Sequence, residues 1–274
     1  MFNVSPLERF AELVKEPDEG IDLGLGAALI AASEYEDLDV QREIRLLDDL
    51  ASAIEPRLGD RSDTLRTLND LSRFLFDDLG FQGNSDDYYN PQNSYLNDVL
   101  KRRLGIPITL ALIYIEVGRR LGVPLLGIGM PGHFLVRHRD EQDLYVDTFS
   151  GGVLLSSEEC AEGFRQRGLA NSWRAEYLAP VRHKEFLGRM LRNLKYIYAE
   201  QGEDGKAIRT VNWLLALYPE AGEEVRDRGL LNYRQGHYQA ARDDLNRYLD
   251  LGAGVQDATT VRQMLRRIDE LLAG

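Results

Sequence analysis

One histidine and one aspartate on neighbouring predicted strands are the residues in this chain best suited to do chemistry. His133 stands in the segment GHFLVR and Asp147 in LYVDTF. In a thiol or serine enzyme an imidazole takes the proton of the nucleophile, and a carboxylate fixes the ring's tautomer and stabilises its charged form. If the two strands pair, these side chains can form a hydrogen bond. The same spacing suits a buried histidine held by an acid without any chemistry, and spacing alone favours that interpretation.

A nucleophile to complete the pair is harder to find. The one cysteine, Cys160, lies beyond both strands in SSEECAEGF, at the start of a predicted helix. A helix N-terminus can lower the pKa of a thiol, but the sequence favours a packing role for this side chain. Ser94 is expected to cap a helix and Thr109 to lie inside a buried one. Ser94 is kept as the alternative nucleophile.

A polar and aromatic loop over residues 81–94 is the second candidate site. Loops of this length without regular structure are uncommon and often functional. The loop residues predicted to line a groove beside His133 are Tyr88, Tyr89, Asn90, Asn93 and Ser94. The strand after His133 is predicted to add Phe134 and Arg137. Asn and Ser also satisfy loop backbone groups and caps, so both interpretations of the loop stay open.

Composition excludes several classes of function. The chain is 43% apolar and 28% charged, with a net charge of −12, which argues against a general nucleic-acid or anionic-membrane binder. A single cysteine excludes an internal disulfide and fits a reducing compartment. The first residues contain acids and no apolar core run, so no signal peptide is expected. The longest apolar run, 106–117, is too short to span a bilayer. We therefore expect a soluble, cytoplasmic protein.

No metal or cofactor is expected. The four histidines are scattered, without the close pairing on one helix that a zinc peptidase uses. The glycines at 127–132 are interrupted by Pro131 and followed by a strand, which does not fit a dinucleotide-binding loop.

Helical spacing dominates residues 5–80, with predicted caps at Ser5, Asp22, Asp39 and Ser62. A short helix before Gly105 and a longer apolar one opening at Pro107 follow. Three strand-like runs come next, PLLGIGM, HFLVRH and DLYVDTF, with Gly151 and Gly152 turning the chain. This order predicts an α+β region in which a buried helix backs a small, antiparallel sheet.

A helical repeat is visible from about residue 184. A shift of 34 residues matches Gln201-Gly202 with Gln235-Gly236 and Ala207 with Ala241. That period is typical of tetratricopeptide repeats, in which small residues let two helices pack closely. Such repeats either bind a partner or only complete the core. Exposed positions for binding were expected at Arg192, Lys195, Asn212, Asn232 and Arg242.

The region from Phe81 to Leu155 resembles the SirB1 family. The matching segments are GN at 83–84, DYYNPQNSYLNDVL at 87–100, RRLGIPITLALIY at 102–114, LGVPLLGIGMPGHFLVR at 121–137 and VDTFSGG at 146–152. The resemblance implies a transglutaminase-like (papain-like) α+β core with tetratricopeptide-like repeats behind it, in a mostly helical chain. The expected domains are 1–80 (helical, packed on the core), 81–180 (core) and 184–274 (repeats).

The resemblance also implies which part of a thiol active site is missing. Transglutaminase-like enzymes carry a cysteine near the start of the buried helix. When their cysteine motif is aligned with this sequence, Pro107 occupies the cysteine position. Proline supplies neither a nucleophile nor a backbone N–H. His133 and Asp147 match the catalytic His and Asp, so the resemblance implies a vestigial pair.

Two functions follow as hypotheses. The favoured one is a non-catalytic, regulatory protein that binds a protein or peptide through the former active-site cleft, with help from the repeats. The alternative is a hydrolase or acyltransferase in which the His133–Asp147 pair acts on water or on Ser94. A third interpretation, a scaffold only, is kept. The sequence gives no oligomeric state.

Overall fold

The computed structural model describes residues 4–59, 63–168, 173–252 and 255–273. Two compact units divide the chain. One comprises Leu13–Met190, and the other comprises Met1–Glu12 with Leu191–Gly274. The helices between residues 23 and 80 therefore share a unit with the sheet, and the first twelve residues share one with the C-terminal helices. The boundaries predicted at 80/81 and 180/184 stay predictions.

The first unit opens with short, individually capped helices. They are α2 (Leu23–Ala32), α3 (Val40–Ile54) and α4 (Thr64–Ser72), which continues as a π-helix over Arg73–Asp78; helix α1 (Pro6–Leu13) belongs to the other unit except for its last residue. The side chains of Asp22 and Asp39 accept hydrogen bonds from the backbone N–H groups of Leu25 and Arg42, which confirms both predicted caps. The predicted cap Ser62 lies outside the described residues, and Asp63 caps α4.

A long buried helix forms the centre of this unit. After α5 (Leu96–Arg102), α6 runs over Pro107–Arg120, and every residue from Pro107 to Gly118 is buried. Two short parallel strands, β1 (Gln82–Gly83) and β2 (Leu104–Gly105), lie just before it. A helix that is apolar on all sides needs partners all round, and α6 packs against α3 as well as the sheet.

The sheet has four antiparallel strands in sequential order. They are β3 (Leu125–Ile128), β4 (Leu135–His138), β5 (Tyr145–Asp147) and β6 (Val153–Leu155). Three of them match the predicted runs, and β6 follows the turn at Gly151–Gly152 as a strand that was not predicted. Val136 pairs with Val146 and both are fully buried, on the face that packs against α6. Residues of the opposite face, including Leu135 and Tyr145, pack under α7 (Ser157–Gln166). Because α6 covers one face and α7 the other, both sheet faces are buried.

The second unit consists of helical hairpins. Its helices are the end of α8 (His183–Glu200), α9 (Asp204–Leu217), α10 (Gly222–Arg234), α11 (Tyr238–Asp250) and α12 (Val255–Ala273). Ala207 and Ala241 are fully buried, and a Cβ placed on Gly229 would meet Leu245 at 2.9 Å. The small residues of the repeat therefore allow close helix contacts, as the 34-residue period predicted.

Several repeat positions differ from the expectation of exposure, among them Asn212, which is half-buried and accepts a hydrogen bond of 2.8 Å from Arg228. Asn232 is 7% exposed and donates a hydrogen bond to Asp244. Lys195 forms ion pairs with Glu224 at 2.6 Å and Asp227 at 2.7 Å, so its ammonium group is already occupied. Sequence periodicity places residues on a helix face but does not show which polar side chains that face pairs internally. No helix in the described ranges is long and apolar enough to span a bilayer.

Candidate functional site

His133 and Asp147 form the pair that the sequence predicted. His133 Nε2 and Asp147 Oδ2 are 2.9 Å apart, and both residues are buried. His133 lies in the turn between β3 and β4, directly after Gly132, whose φ of +70° favours glycine. Asp147 is the last residue of β5. Because Nε2 faces the carboxylate, Nδ1 is the ring nitrogen left to face a reacting group.

Asp147 is held by more than the imidazole. Its Oδ1 accepts hydrogen bonds from the backbone N–H groups of Phe149 (3.1 Å) and Ser150 (3.2 Å), and its Oδ2 accepts one from the Ser150 hydroxyl (3.0 Å). Burial raises the pKa of this carboxyl group, but the hydrogen bonds and the His133 ring outweigh burial and bring the pKa below its usual value. The carboxylate is therefore charged and fixed in orientation at neutral pH.

Pro107 lies beside this pair. It is buried as the first residue of α6, and its carbonyl oxygen accepts a hydrogen bond of 3.4 Å from the hydroxyl of Thr148, the residue after Asp147. The start of α6 is thus next to the end of β5. The assignment of the nucleophile position to Pro107, which the resemblance implies, stays a prediction.

The only cysteine is in a different environment. Cys160 is 2% exposed and packs among Met130, Leu135 and Phe164 in the apolar cluster under α7. Burial, together with the nearby charge of Asp147, raises the pKa of its thiol to about 12. A nucleophilic thiol needs a lowered pKa, so Cys160 fits the predicted packing role.

Ser94 does not cap a helix, which corrects that prediction. The N-cap of α5 is Tyr95, and no side chain caps it. Ser94 instead ends the short 3₁₀ turn Pro91–Asn93, and its N–H donates to the Pro91 carbonyl oxygen. Its hydroxyl is buried and has no hydrogen-bond partner among the described residues. Thr109 lies within buried α6, as expected, and its hydroxyl donates to the Asn93 carbonyl oxygen at 2.7 Å.

Asn90 and Asn93, the two asparagines predicted to line the groove, have structural hydrogen bonds. Asn93 is fully buried, and its amide donates to the carbonyl oxygens of Asp87 (2.7 Å) and Tyr88 (3.2 Å) while accepting from Asn84 (3.0 Å). Asn90 accepts from the Gln92 N–H and donates to the Asp87 carboxylate. These amides shape the loop, and direct binding by them stays a prediction.

The loop's tyrosines lead to His133 through a chain of aromatic rings. The centroid of Tyr88 is 5.3 Å from that of Tyr89 and 6.0 Å from that of Phe149. The Phe149 centroid is in turn 6.3 Å from the His133 ring, and these contacts are all edge-on. Tyr89 is 59% exposed, whereas Tyr88 is half-buried. The loop thus presents an aromatic surface that extends from solvent to the imidazole.

Phe134 and Arg137, the two candidates that follow His133, are not part of the aromatic surface formed by the loop. Phe134 is 1% exposed and stacks edge-on against Phe186, with ring centroids 4.8 Å apart. Arg137 stands opposite Tyr145 in the sheet, and its Nε is buried with no hydrogen-bond partner among the described residues. Within those residues no hydrogen bond or ion pair joins either side chain to His133, so their roles in binding stay predictions.

Three contributors were missed by sequence reasoning. Phe149 and Ser150 follow Asp147 directly, and an aspartate bonding to N–H groups two and three residues ahead is a recognisable local pattern. Arg189 on α8 donates to the His133 carbonyl oxygen at 2.7 Å from 56 positions away, and no local signal marks it. Within the described residues, no group of three or more His, Cys, Asp or Glu side chains is arranged to hold a metal.

Comparisons with known proteins match this architecture. A model of the transglutaminase-like superfamily matches residues 41–192, and a tetratricopeptide repeat model matches residues 194–266. A UPF0162 protein of Xylella fastidiosa is 42% identical over 250 residues, which cover 89% of each chain. A UPF0162 protein of Pseudomonas aeruginosa is 31% identical over 246 residues, again 89% of each.

A eukaryotic relative shares part of the chain. Human F-box only protein 21 is 34% identical over 167 residues, which are 57% of this chain and 26% of that protein. No solved structure matches the chain. The range matched by the transglutaminase-like model includes His133 and Asp147. The chain therefore belongs to the UPF0162 family of SirB1-type proteins, with a transglutaminase-like domain followed by tetratricopeptide repeats.

Proposed function

We propose that the protein is a non-catalytic binding protein, which holds a protein or peptide partner in the cleft between the 88–94 loop and the His133–Asp147 pair. The observation that carries this proposal is the buried Pro107 at the start of α6, beside an intact 2.9 Å His–Asp hydrogen bond. The cleft keeps its polar pair and its aromatic wall, but the position for a thiol has none. Acyl transfer through a thioester has no nucleophile there.

Two further observations support binding. The raised pKa of Cys160 keeps that thiol protonated, so it offers no substitute nucleophile. The exposed ring of Tyr89 continues inward through Tyr88 and Phe149, and aromatic side chains with an exposed edge are frequent anchors at protein interfaces. The tetratricopeptide repeats are a second surface of a kind that commonly binds proteins.

Site-specific photo-cross-linking tests the proposal. We would replace Tyr89 by p-benzoylphenylalanine in the full chain, irradiate intact cells and identify the adducts. The matched control carries the same group at Leu65, which is 52% exposed on α4. An adduct with a defined protein at position 89, absent at 65 and reduced by His133→Ala, supports the proposal. Identical adducts at both positions, or none at 89, would overturn it.

A hydrolase or acyltransferase is the second candidate, favoured by one observation. The Ser94 hydroxyl is buried and without a hydrogen-bond partner in the described residues, which is costly unless it has a use. Wild type and His133→Ala would be profiled against peptide, amide and ester substrates. Turnover lost in both His133→Ala and Ser94→Ala would establish this candidate and remove the binding-only one.

A further inference from the structure

Arg189 anchors the turn that carries His133. Its Nη2 donates to the carbonyl oxygens of Met130 at 2.8 Å and His133 at 2.7 Å. Its guanidinium carbon also lies 5.3 Å above the Phe134 ring. These contacts hold the guanidinium against the turn that carries His133. They use both hydrogens of Nη2, and three of the five N–H donors remain, on Nη1 and Nε.

No acid neutralises this cation among the residues that the structure describes. Two other partly buried cations show the usual arrangement, in which Lys195 pairs with Glu224 and Asp227, and Arg120 pairs with Glu116. Arg189 makes no ion pair within 4 Å in the described ranges, although the chain has 45 acidic and only 33 basic residues. Burial lowers the pKa of its guanidinium, with no carboxylate to offset the effect. A buried cation without a counter-charge is unfavourable, and binding an anion would relieve that cost.

The positive charge adjoins the aromatic surface. Burial and the neighbouring Tyr89 raise the pKa of the Tyr88 hydroxyl, while Arg189 and Arg167 pull it back, so both guanidinium groups act on that hydroxyl. Tyr88 packs on Phe149, whose ring meets His133. Apolar ring surface and unpaired positive charge therefore occur side by side, in a chain that is acidic overall.

We propose that the cleft recognises a carboxylate next to an aromatic side chain, with the carboxylate on Arg189 and the aromatic ring against Tyr88 and Phe149. This inference rests on the proposed function, since it names the chemistry of the peptide that the cleft takes. Charge-assisted hydrogen bonds from arginine are the strong ones, and edge-on ring contacts add to them. The carboxylate comes from a peptide C-terminus or from a Glu side chain.

Four small probes distinguish these sources. They are N-acetyl-phenylalanine, its amide, N-acetyl-Glu-Phe-amide and N-acetyl-Gln-Phe-amide. Each would be titrated into the full chain labelled with ¹⁵N-arginine, following the Nε–Hε signal of Arg189 by NMR. At least one carboxylate probe should give a saturable shift with affinity roughly 10-fold or more above its neutral partner. The stronger of the two acids identifies the source.

Variants decide whether Arg189 is the group responsible. In Arg189→Gln the preference for acid over amide should vanish when binding is followed by the ring signals of His133. Arg189→Lys keeps a charge and should keep part of the preference. Arg182→Gln removes an exposed charge just before α8 and should change nothing. Thermal melts check folding, and if Arg189→Gln does not fold, Arg189→Lys and the acid–amide comparison in wild type still decide.

Two results would overturn the inference. One is equal binding of acid and amide probes to wild type, and the other is the absence of a saturable shift with any acid. Neither outcome affects the cross-linking test at Tyr89, so a partner found there would leave the proposed function standing. Conversely, a saturable acid-specific shift without any cross-linked protein would support a carboxylate site and reject a protein partner.

Discussion

The carbonyl oxygen of Pro107 accepts a hydrogen bond of 3.4 Å from the hydroxyl of Thr148. Thr148 directly follows Asp147, and Pro107 is the first residue of α6, so this contact joins the helix start to the acid-bearing strand. Family resemblance places the missing nucleophile at Pro107. If that assignment holds, the residue type at position 107 decides whether a thiol could act beside the His133–Asp147 pair, and this can be tested by substitution.

Restoring a thiol should restore reactivity at this position. We predict that Pro107→Cys, made in a Cys160→Ala background, gives a thiol whose pKa is lowered by the helix N-terminus and the imidazole. A lowering of the thiol pKa from about 8.5 to about 7 raises the thiolate fraction at pH 7 from about 3% to about 50%, roughly 16-fold. Iodoacetamide labelling rates against pH measure it, and the added His133→Ala should slow labelling. The fold should survive, because the first helical position does not require proline.

The matched control is Ile108→Cys in the same background, one position further along the buried helix. Its labelling should be slow and insensitive to His133→Ala. If the Pro107→Cys thiol were equally insensitive to His133→Ala, position 107 would not face the imidazole. The registration of the missing nucleophile would then be wrong.

Asp147 should make stability depend on pH in one direction. Its pKa is lower in the folded state than the usual value near 3.8, so its stabilising effect is complete above that value. It is lost as the pH falls through the lower folded-state pKa. Asp147→Asn should therefore unfold more easily at pH 7, by about 1.5–3 kcal/mol, because the buried bonds to an ionised group are lost. The difference in unfolding free energy between Asp147→Asn and wild type should become smaller below about pH 4.

Chemical denaturation of both proteins from pH 3 to pH 7 measures this difference. The control is Asp140→Asn, because Asp140 is 67% exposed and forms an ion pair of 3.5 Å with the similarly exposed Arg139. Exposed pairs contribute little, so this variant should match wild type at each pH. A pH-independent deficit in Asp147→Asn would show that the carboxylate's charge is not what stabilises the fold.

Features encoded by neighbouring residues were predictable from the sequence. The caps at Asp22 and Asp39, the antiparallel strands and the turn at Gly151–Gly152 all rest on contacts within a few residues. The pairing of His133 with Asp147 was also predictable, because consecutive antiparallel strands bring the ends of one hairpin together. Each of these depends on local geometry or on a short connection.

Features that depend on distant segments of the chain were not predictable from the sequence. Arg189 reaches His133 from a helix 56 residues later, and nothing in its own surroundings marks it. Ser94 was assigned as a cap from its residue type, but the 3₁₀ turn Pro91–Asn93 takes up its N–H and the helix begins two residues later. A serine at this position could either end the 3₁₀ turn or cap the following helix, and its residue type does not show which of the two it does.

Cys160 should be chemically inert in the folded protein. Burial raises the pKa of its thiol to about 12, so almost no thiolate exists at pH 8. Because it is the only cysteine, a disulfide-exchange reagent such as DTNB reports on it alone. We expect slow labelling in buffer and full labelling in denaturant. Rapid labelling that is suppressed by His133→Ala would contradict this prediction. It would mean that the thiol faces the imidazole and that the protein has a working acyl-transfer centre.

Asn93 and Ser94 are neighbours in the loop but should respond oppositely to removal of their polar groups. Asn93→Ala deletes the side-chain hydrogen bonds to Asp87, Tyr88 and Asn84, and should cost about 2–4 kcal/mol of unfolding free energy. Ser94→Ala deletes a buried hydroxyl that has no partner in the described part of the chain, so it should be neutral or stabilising. The two variants serve as each other's controls, since both remove one small polar group from the same buried segment. Thermal and chemical unfolding measure the difference in unfolding free energy between the two variants.

A loss of stability in Ser94→Ala comparable to that of Asn93→Ala would contradict this prediction. It would mean that the Ser94 hydroxyl has a partner, such as an ordered water, and the argument for Ser94 as a nucleophile would fail.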